Sequence, residues 1–286
     1  MRWPIEKALA CAIAVAPVLW LAGLAYDGDL GVRAVHQATR ESGDWALRLF
    51  WLTLFISPAR RILAAPRLIL TRRILGLAAF GLTVLHIGLY ALDLQFDWTQ
   101  IGLEIVLRLY LTIGAVATIG LAVLAATSTD RAIAQLGSVR WNRLHGFVFA
   151  IAALSLVHFL LRSRTDTFEP MLMFGLLAWL IGYRLIRRLA GDASVPHLFA
   201  LAAAAAILTG LAEITWHTLA TGVDAGRILA AHFDFEYGLR PAWWVLIAGL
   251  AAAIAGWHRR FQPQRPSLRM TASTASSGST RGQSAN

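Results

Sequence analysis

The chain of 286 residues is predicted to be an all-α, polytopic membrane helix bundle, on three observations. Its residues are 57% hydrophobic and 15% charged, too apolar a balance for ordinary soluble domains of this length. The apolar residues gather in eight runs that approach the roughly 20 residues a helix needs to cross the hydrocarbon core. The arginines collect at alternate ends of these runs, so the net charge of +10 reads as membrane orientation and speaks against nucleic acid as a partner.

The first run covers residues 8–26. A cleavable leader is its competing reading, because Gly23-Leu24-Ala25 has the small-x-small pattern, but the run exceeds the ~7–15 apolar residues of such segments. Either outcome leaves Asp27 outside. The second run, 45–65, is interrupted by Arg48, Pro58, Arg60 and Arg61, and is expected to be short, kinked or partly interfacial. Runs 74–92, 107–127, 144–161 and 171–186 complete a six-helix unit over residues 1–190. Runs 196–220 and 241–257 form a two-helix extension over 191–258, and residues 259–286 are a Ser-, Thr- and Gly-rich tail expected to be disordered and cytoplasmic.

Loop charges orient the bundle. With the amino terminus inside, the inner loops hold Arg60, Arg61, Arg67, Arg72 and Arg73, then Arg131, Arg140 and Arg143, then Arg184, Arg187 and Arg188, with Arg259 and Arg260 after the last run. The outer loops are mixed or acidic, with Asp27, Asp29, Glu41 and Asp44, then Asp93, Asp97 and Glu104, then Asp224, Asp234 and Glu236. The positive-inside rule is followed at nearly every turn, and the loop 162–170 is its weakest case. The expected location is a bacterial inner membrane with both termini cytoplasmic.

The single cysteine, Cys11, rules out an intrachain disulfide framework, a four-cysteine zinc site and a cysteine-ligated iron–sulfur cluster. A resident metal would fall to histidine or carboxylate. Of the eight histidines, only His86, His145 and His158 lie in central runs. His86 stands ~18 Å and His158 ~21 Å above the inner boundary at the helical rise, so the two rings can meet at one depth. Facing imidazoles of this kind clamp an iron porphyrin at both axial positions. His145 lies ~20 Å deeper than His158, where a second redox group would complete a relay, although on one ideal helix the two are rotated about 140° apart. Buried packing histidines are the blander alternative.

Other features have two readings each. Glu213 could relay protons or bind a quinone, or serve as a hydrogen-bonded interface residue. The arginines from Arg60 to Arg73 could grip anionic lipid or a flavin phosphate, or simply set topology. Tryptophans near the run ends, among them Trp20, Trp45, Trp98, Trp141 and Trp216, read as interfacial anchors, and Ala202–Ala206 as a close-packing surface. No Gly-rich phosphate loop and no room for a soluble nucleotide-binding domain are found.

The order of motifs resembles a known family. Gly43-Asp44-Trp45-Ala46-Leu47-Arg48 with Ser57-Pro58-Ala59-Arg60-Arg61, Arg72-Arg73-Ile74-Leu75-Gly76-Leu77 leading to His86, and Arg108-Leu109-Tyr110-Leu111-Thr112 with Gly114 resemble successive helices of MsrQ. This family is the haem-binding membrane subunit of protein-methionine-sulfoxide reductase systems. Trp141-Asn142-Arg143-Leu144-His145, His158 and Glu169-Pro170 continue the likeness over about residues 40–190. The resemblance implies a ferric-reductase-like transmembrane core with b-type haem held by His86, His145 and His158. One haem is expected and a second is open, and FMN is a further candidate cofactor.

It also implies a route. Electrons would pass from the quinone pool to a periplasmic molybdopterin methionine-sulfoxide reductase subunit, making this an electron-transfer subunit and not the catalytic one. A haem-dependent ferric or other metal reductase fed by a separate flavoprotein, and a non-redox scaffold or transporter, are the alternatives. Membrane lipid is the remaining expected partner. Two departures stand out: Leu109 where the family usually has proline, and the added helices beyond residue 190, where the family usually stops at six.

Overall fold

The computed structural model describes residues 4–163, 166–236 and 238–261, so the expected tail lies, past Phe261, outside the described residues. Eleven α-helices follow in order: α1 (Ile5–Asp27), α2 (Ala34–Ile62), α3 (Ile69–Asp93), α4 (Trp98–Leu107), α5 (Leu109–Ala126), α6 (Asp130–Gly146), α7 (Val148–Ser163), α8 (Phe168–Ala190), α9 (Val195–Thr221), α10 (Ala225–Ala231) and α11 (Pro241–Phe261). Among the described residues there is no strand. Seven stretches are long and apolar enough to cross a membrane, and together they make this a multi-pass membrane protein. They are α1, α3 with the turn before it, α5, the α6–α7 stretch, α8, α9 and the Pro241–Arg259 part of α11.

The one expected run left out of these seven is the second, which forms α2, and here the structure corrects the expected length. It is neither short nor broken at Pro58: it runs 29 residues and starts well before Trp45. Its N-terminal half carries Arg40, Glu41, Asp44 and Arg48, which keep it out of the apolar set. Those charges are answered inside the bundle. Arg48 forms two bonds to Glu169 of α8, 2.7 and 2.8 Å, and Asp44 accepts from Arg162 of α7 at 2.7 Å. Bidentate guanidinium–carboxylate pairing is the strong form of such a contact.

α2 is the central helix, packed against α1, α3, α7, α8 and α11. Trp51, Leu49 and Phe50 are buried along it, and the Trp51 indole donates to the Met173 carbonyl of α8 at 3.0 Å. By contrast the apolar windows of α1 and α5 are only 17% and 11% buried, which marks them as the lipid-facing rim.

The extension docks on α8 through small residues. A Cβ at Gly249 of α11 would lie 2.6 Å from the Ala202 Cβ of α9, and one at Gly175 of α8 would collide with Thr209 and Val245. Ala202 and Ala205 are fully buried while Ala203 and Ala204 are exposed, so one face of the alanine run is the close-packing surface, with van der Waals contact drawing the helices together.

Three short or amphipathic helices, α4, α6 and α10, occupy what the sequence reading took as loops. Each opens on a side-chain cap: Asp97 accepts from Thr99 and Gln100, Thr129 from Ala132, and Asp224 from Arg227.

Candidate functional site

One end of the bundle, where α2 and α5 begin and α3 and α7 end, holds two histidines in matching settings. His86 lies seven residues before the end of α3 and His158 five before the end of α7, so both sit within ~10 Å of their helix ends. The His86 Nδ1 is 2.7 Å from the Thr39 carbonyl of α2, and the His158 Nδ1 is 2.7 Å from the Tyr110 carbonyl of α5. A carbonyl only accepts, so in each ring Nδ1 carries the proton and Nε2 is left with its lone pair. Neither Nε2 has a protein partner among the described residues. The two rings lie within electrostatic reach of each other.

Glycines make both seats. A Cβ at Gly43 would fall 2.8 Å from the His86 Nδ1, and one at Gly114 would fall 2.7 Å from the His158 Nδ1. Only a residue without a side chain lets the imidazole approach the neighbouring helix this closely and reach its backbone. A metal-binding histidine characteristically donates its other N–H to a carbonyl or carboxylate, which fixes tautomer and ring angle and raises ligand basicity. Both rings satisfy that requirement before any ligand arrives.

His145 is set differently. It stands at the far end of α6, stacked on Trp141 with ring centres 3.8 Å apart, its Nδ1 3.2 Å from the Trp141 carbonyl and its Nε2 3.4 Å from the Ser128 hydroxyl. No glycine seat accompanies it. The 140° offset expected between His145 and His158 assumed one ideal helix. Phe147 separates α6 from α7, so the two histidines stand on separate helices and the single-helix rotation does not apply as counted.

The remaining histidines are engaged elsewhere. His36 pairs with Asp93, His197 caps α9 with Ser194, and His217 meets the buried Thr167 hydroxyl at 3.0 Å. Glu213 is 2% exposed and is met by Arg240 at 3.3 Å and His232 at 3.2 Å, so it belongs to a buried ion cluster of the extension. Sequence reasoning missed Arg240 and His232 as its partners because both come from the connection after α9.

Among the described residues no group of three His, Cys, Asp or Glu could hold a bare metal ion. A porphyrin supplies four nitrogens of its own and asks the protein for one or two axial donors, which is what a pair of seated imidazoles offers. The sequence pointed to His86, His145 and His158. The structure brings the first and third into one setting and leaves His145 at the other end of the bundle. The carbonyls of Thr39 and Tyr110 were not anticipated, and Gly43 and Gly114 entered the resemblance without a role.

Comparison with known proteins identifies the family. The model of the family described as ferric reductase like transmembrane component matches residues 42–157, a stretch that contains His86 and His145 and ends one residue before His158. The chain is 40% identical over 165 residues to the protein-methionine-sulfoxide reductase heme-binding subunit MsrQ of Caulobacter vibrioides, covering 57% of this chain and 77% of that one. It is 36% identical to the Rhodospirillum rubrum protein of the same name, covering 62% and 85%, and 42% identical to that of Xanthomonas campestris, covering 56% and 73%. No solved structure matches. Shared sequence on this scale, spanning more than two thirds of each relative, establishes that the chain belongs to the MsrQ family of protein-methionine-sulfoxide reductase heme-binding subunits.

Proposed function

We propose that the chain is a b-type haem electron-transfer subunit of a bacterial inner membrane, passing electrons from the quinone pool to a periplasmic molybdopterin methionine-sulfoxide reductase that repairs oxidised proteins. The observation that carries this reading is the matched pair His86 and His158, each with Nδ1 anchored on a backbone carbonyl, Nε2 unpaired and a glycine beneath the ring. The names of the relatives, all heme-binding subunits, support the haem assignment and the reductase partner.

In this reading residues 1–190 are the haem core and 191–258 an extension packed on α8, with both termini cytoplasmic. His86 and His158 are the axial ligands, and the haem supplies reversible one-electron storage when bound. The protein's part is to fix both donors in one tautomer, hold them at one level of the bundle, and set the polarity around them. Arg162, tied to Asp44, lies within electrostatic reach of both rings and favours the reduced form of a group held there. His145, beside Trp141 and Ser128, is the donor for a second, inner redox group in the same scheme.

The decisive measurement is the visible spectrum of the purified protein before and after dithionite. Reduced b-type bands are expected in the wild type and in His36→Ala, and are expected to vanish in His86→Ala and His158→Ala. Retention of the full bands in both ligand variants would overturn the assignment. The description of the matching family model favours a second reading, a ferric or other metal reductase fed by a separate flavoprotein. Reduction of the haem by a quinol in purified membranes, without added flavoprotein, selects the first.

A further inference from the structure

The extension buries a carboxylate and an imidazole against each other. Glu213 of α9 is 2% exposed and His232, at the end of α10, 6%. One Glu213 oxygen lies 3.3 Å from the Arg240 guanidinium and the other, Oε2, 3.2 Å from the His232 Nε2. The cluster falls outside the residues 42–157 that the family model matches. It sits at the end of the bundle where α8 begins, because His217, one turn beyond Glu213, meets Thr167.

The backbone fixes the tautomer of His232. Its Nδ1 is 2.9 Å from the Ile228 carbonyl, and a carbonyl only accepts, so Nδ1 carries a proton and a neutral ring turns a bare lone pair at Nε2 toward Glu213. An ionised carboxylate offers only lone pairs in return. Both atoms are sealed from solvent, neither has another hydrogen-bond partner among the described residues, and 3.2 Å leaves no room for a water between them. Two desolvated lone pairs at that distance repel each other, whereas one proton between them makes the contact a charge-assisted attraction. The count is the same whether the proton rests on nitrogen or on oxygen, so it belongs to the pair.

His232 also ties three helices together. Its ring stands beside Gly210 of α9, its carbonyl accepts from the Trp243 indole of α11 at 2.7 Å, and the Phe233 and Phe235 rings that follow it pack on Trp243. The other titratable groups described around the pair are engaged or exposed. Asp224, Arg227, Asp234 and Glu236 of the connection are exposed, Glu169 of α8 holds Arg48, His217 holds Thr167, and α11 has no charged residue from Pro241 to Trp257.

We propose that Glu213 and His232 form a proton-binding site, and that the proton held between them latches the α10 connection onto α9. The proton comes from the aqueous phase at that membrane face, where the Arg240 side chain is 37% exposed. Its loss leaves Glu213 to Arg240 alone and releases the ring. Stability supplied by a bound proton is full at low pH and disappears as pH rises. No proposed haem ligand takes part, so the site stands independently of the haem reading.

The test uses the full chain in lipid nanodiscs and reads amide hydrogen exchange of residues 225–236 as protection factors from about pH 5 to about pH 9, with residues 98–107 as the reference. Wild type is expected to be protected at the acid end and to lose protection toward the alkaline end by up to about tenfold per pH unit, the slope that one proton gives. Glu213→Gln replaces the exchangeable hydrogen with a permanent one, since its amide donates to Nε2 while its carbonyl still accepts from Arg240. Protection is therefore expected to stay high at every pH in that variant. If E213Q elutes as aggregate in size exclusion, H232Q takes its place, with a permanent donor facing Glu213 and the same flat profile expected. Wild-type protection that does not change with pH, or a slope that persists in the Gln variant, overturns the proposal.

Discussion

The core and the extension each seat a histidine ring over a glycine of a neighbouring helix, yet the two regions leave that ring in different chemical states. In the core, a Cβ at Gly43 or Gly114 would collide with His86 or His158; in the extension, His232 lies beside Gly210, where a Cβ would sit 3.4 Å from its Nε2, an ordinary contact. All three rings direct Nδ1 to a backbone carbonyl, His232 to that of Ile228 at 2.9 Å. The far nitrogen separates them. That of His232 stands 3.2 Å from a Glu213 oxygen in a cluster completed by Arg240, whereas those of His86 and His158 meet no protein group among the described residues. A seat on glycine therefore orients a ring, and what faces its other edge decides whether it serves as a charge partner or a ligand.

The strongest way to break this comparison is to fill the seats. Gly43→Val and Gly114→Val are expected to lower haem affinity about 10- to 100-fold by displacing the ligand rings, measured as haem per protein after purification. Gly210→Val is expected to leave the haem content at the wild-type level. Equal loss in all three variants would show that the glycines matter for helix packing alone.

A smaller effect is expected from the extension's own charges. Glu213→Ala strands Arg240 and His232 and should cost about 3 kcal/mol in detergent unfolding, with an unaltered haem spectrum. Bleaching of the haem in that variant would tie the extension to the redox site. Next comes Arg48→Met, which leaves Glu169 unpaired. Because that pair is roughly a third exposed, about 1–2 kcal/mol is expected. Asp130→Asn removes the partner of Arg73 from a solvent-exposed pair, and no measurable change in Tm is expected.

Most of the bundle was legible because spanning helices announce themselves: seven of eight apolar runs became spans, and the alanine run became a contact surface. The extent of α2 was not legible. Its N-terminal half is polar, and the groups that permit a helix there, Glu169 and Arg162, stand 121 and 118 residues away in the chain. The three missed helices were too short or too polar to form apolar runs, although Asp97, Thr129 and Asp224 carried the cap signal locally. At the site, the depth of His86 and His158 could be counted from the sequence. The Thr39 and Tyr110 carbonyls could not, because a backbone acceptor has no residue-type signature. The buried state of Glu213 likewise depended on Arg240 and His232, which the chain delivers only after a turn and a short helix.

The ion pairs of α2 have a consequence for biogenesis. A segment carrying Asp44 and Arg48 partitions poorly from the translocon into lipid by itself, since each charge at membrane depth adds an insertion cost of about 2.5–3.5 kcal/mol. Its counter-charges, Arg162 and Glu169, emerge from the ribosome more than a hundred residues later. The second helix must therefore wait at the mouth of the insertion machinery, or at the bilayer surface, until the seventh and eighth are synthesised, and the innermost helix of the finished bundle is among the last to settle.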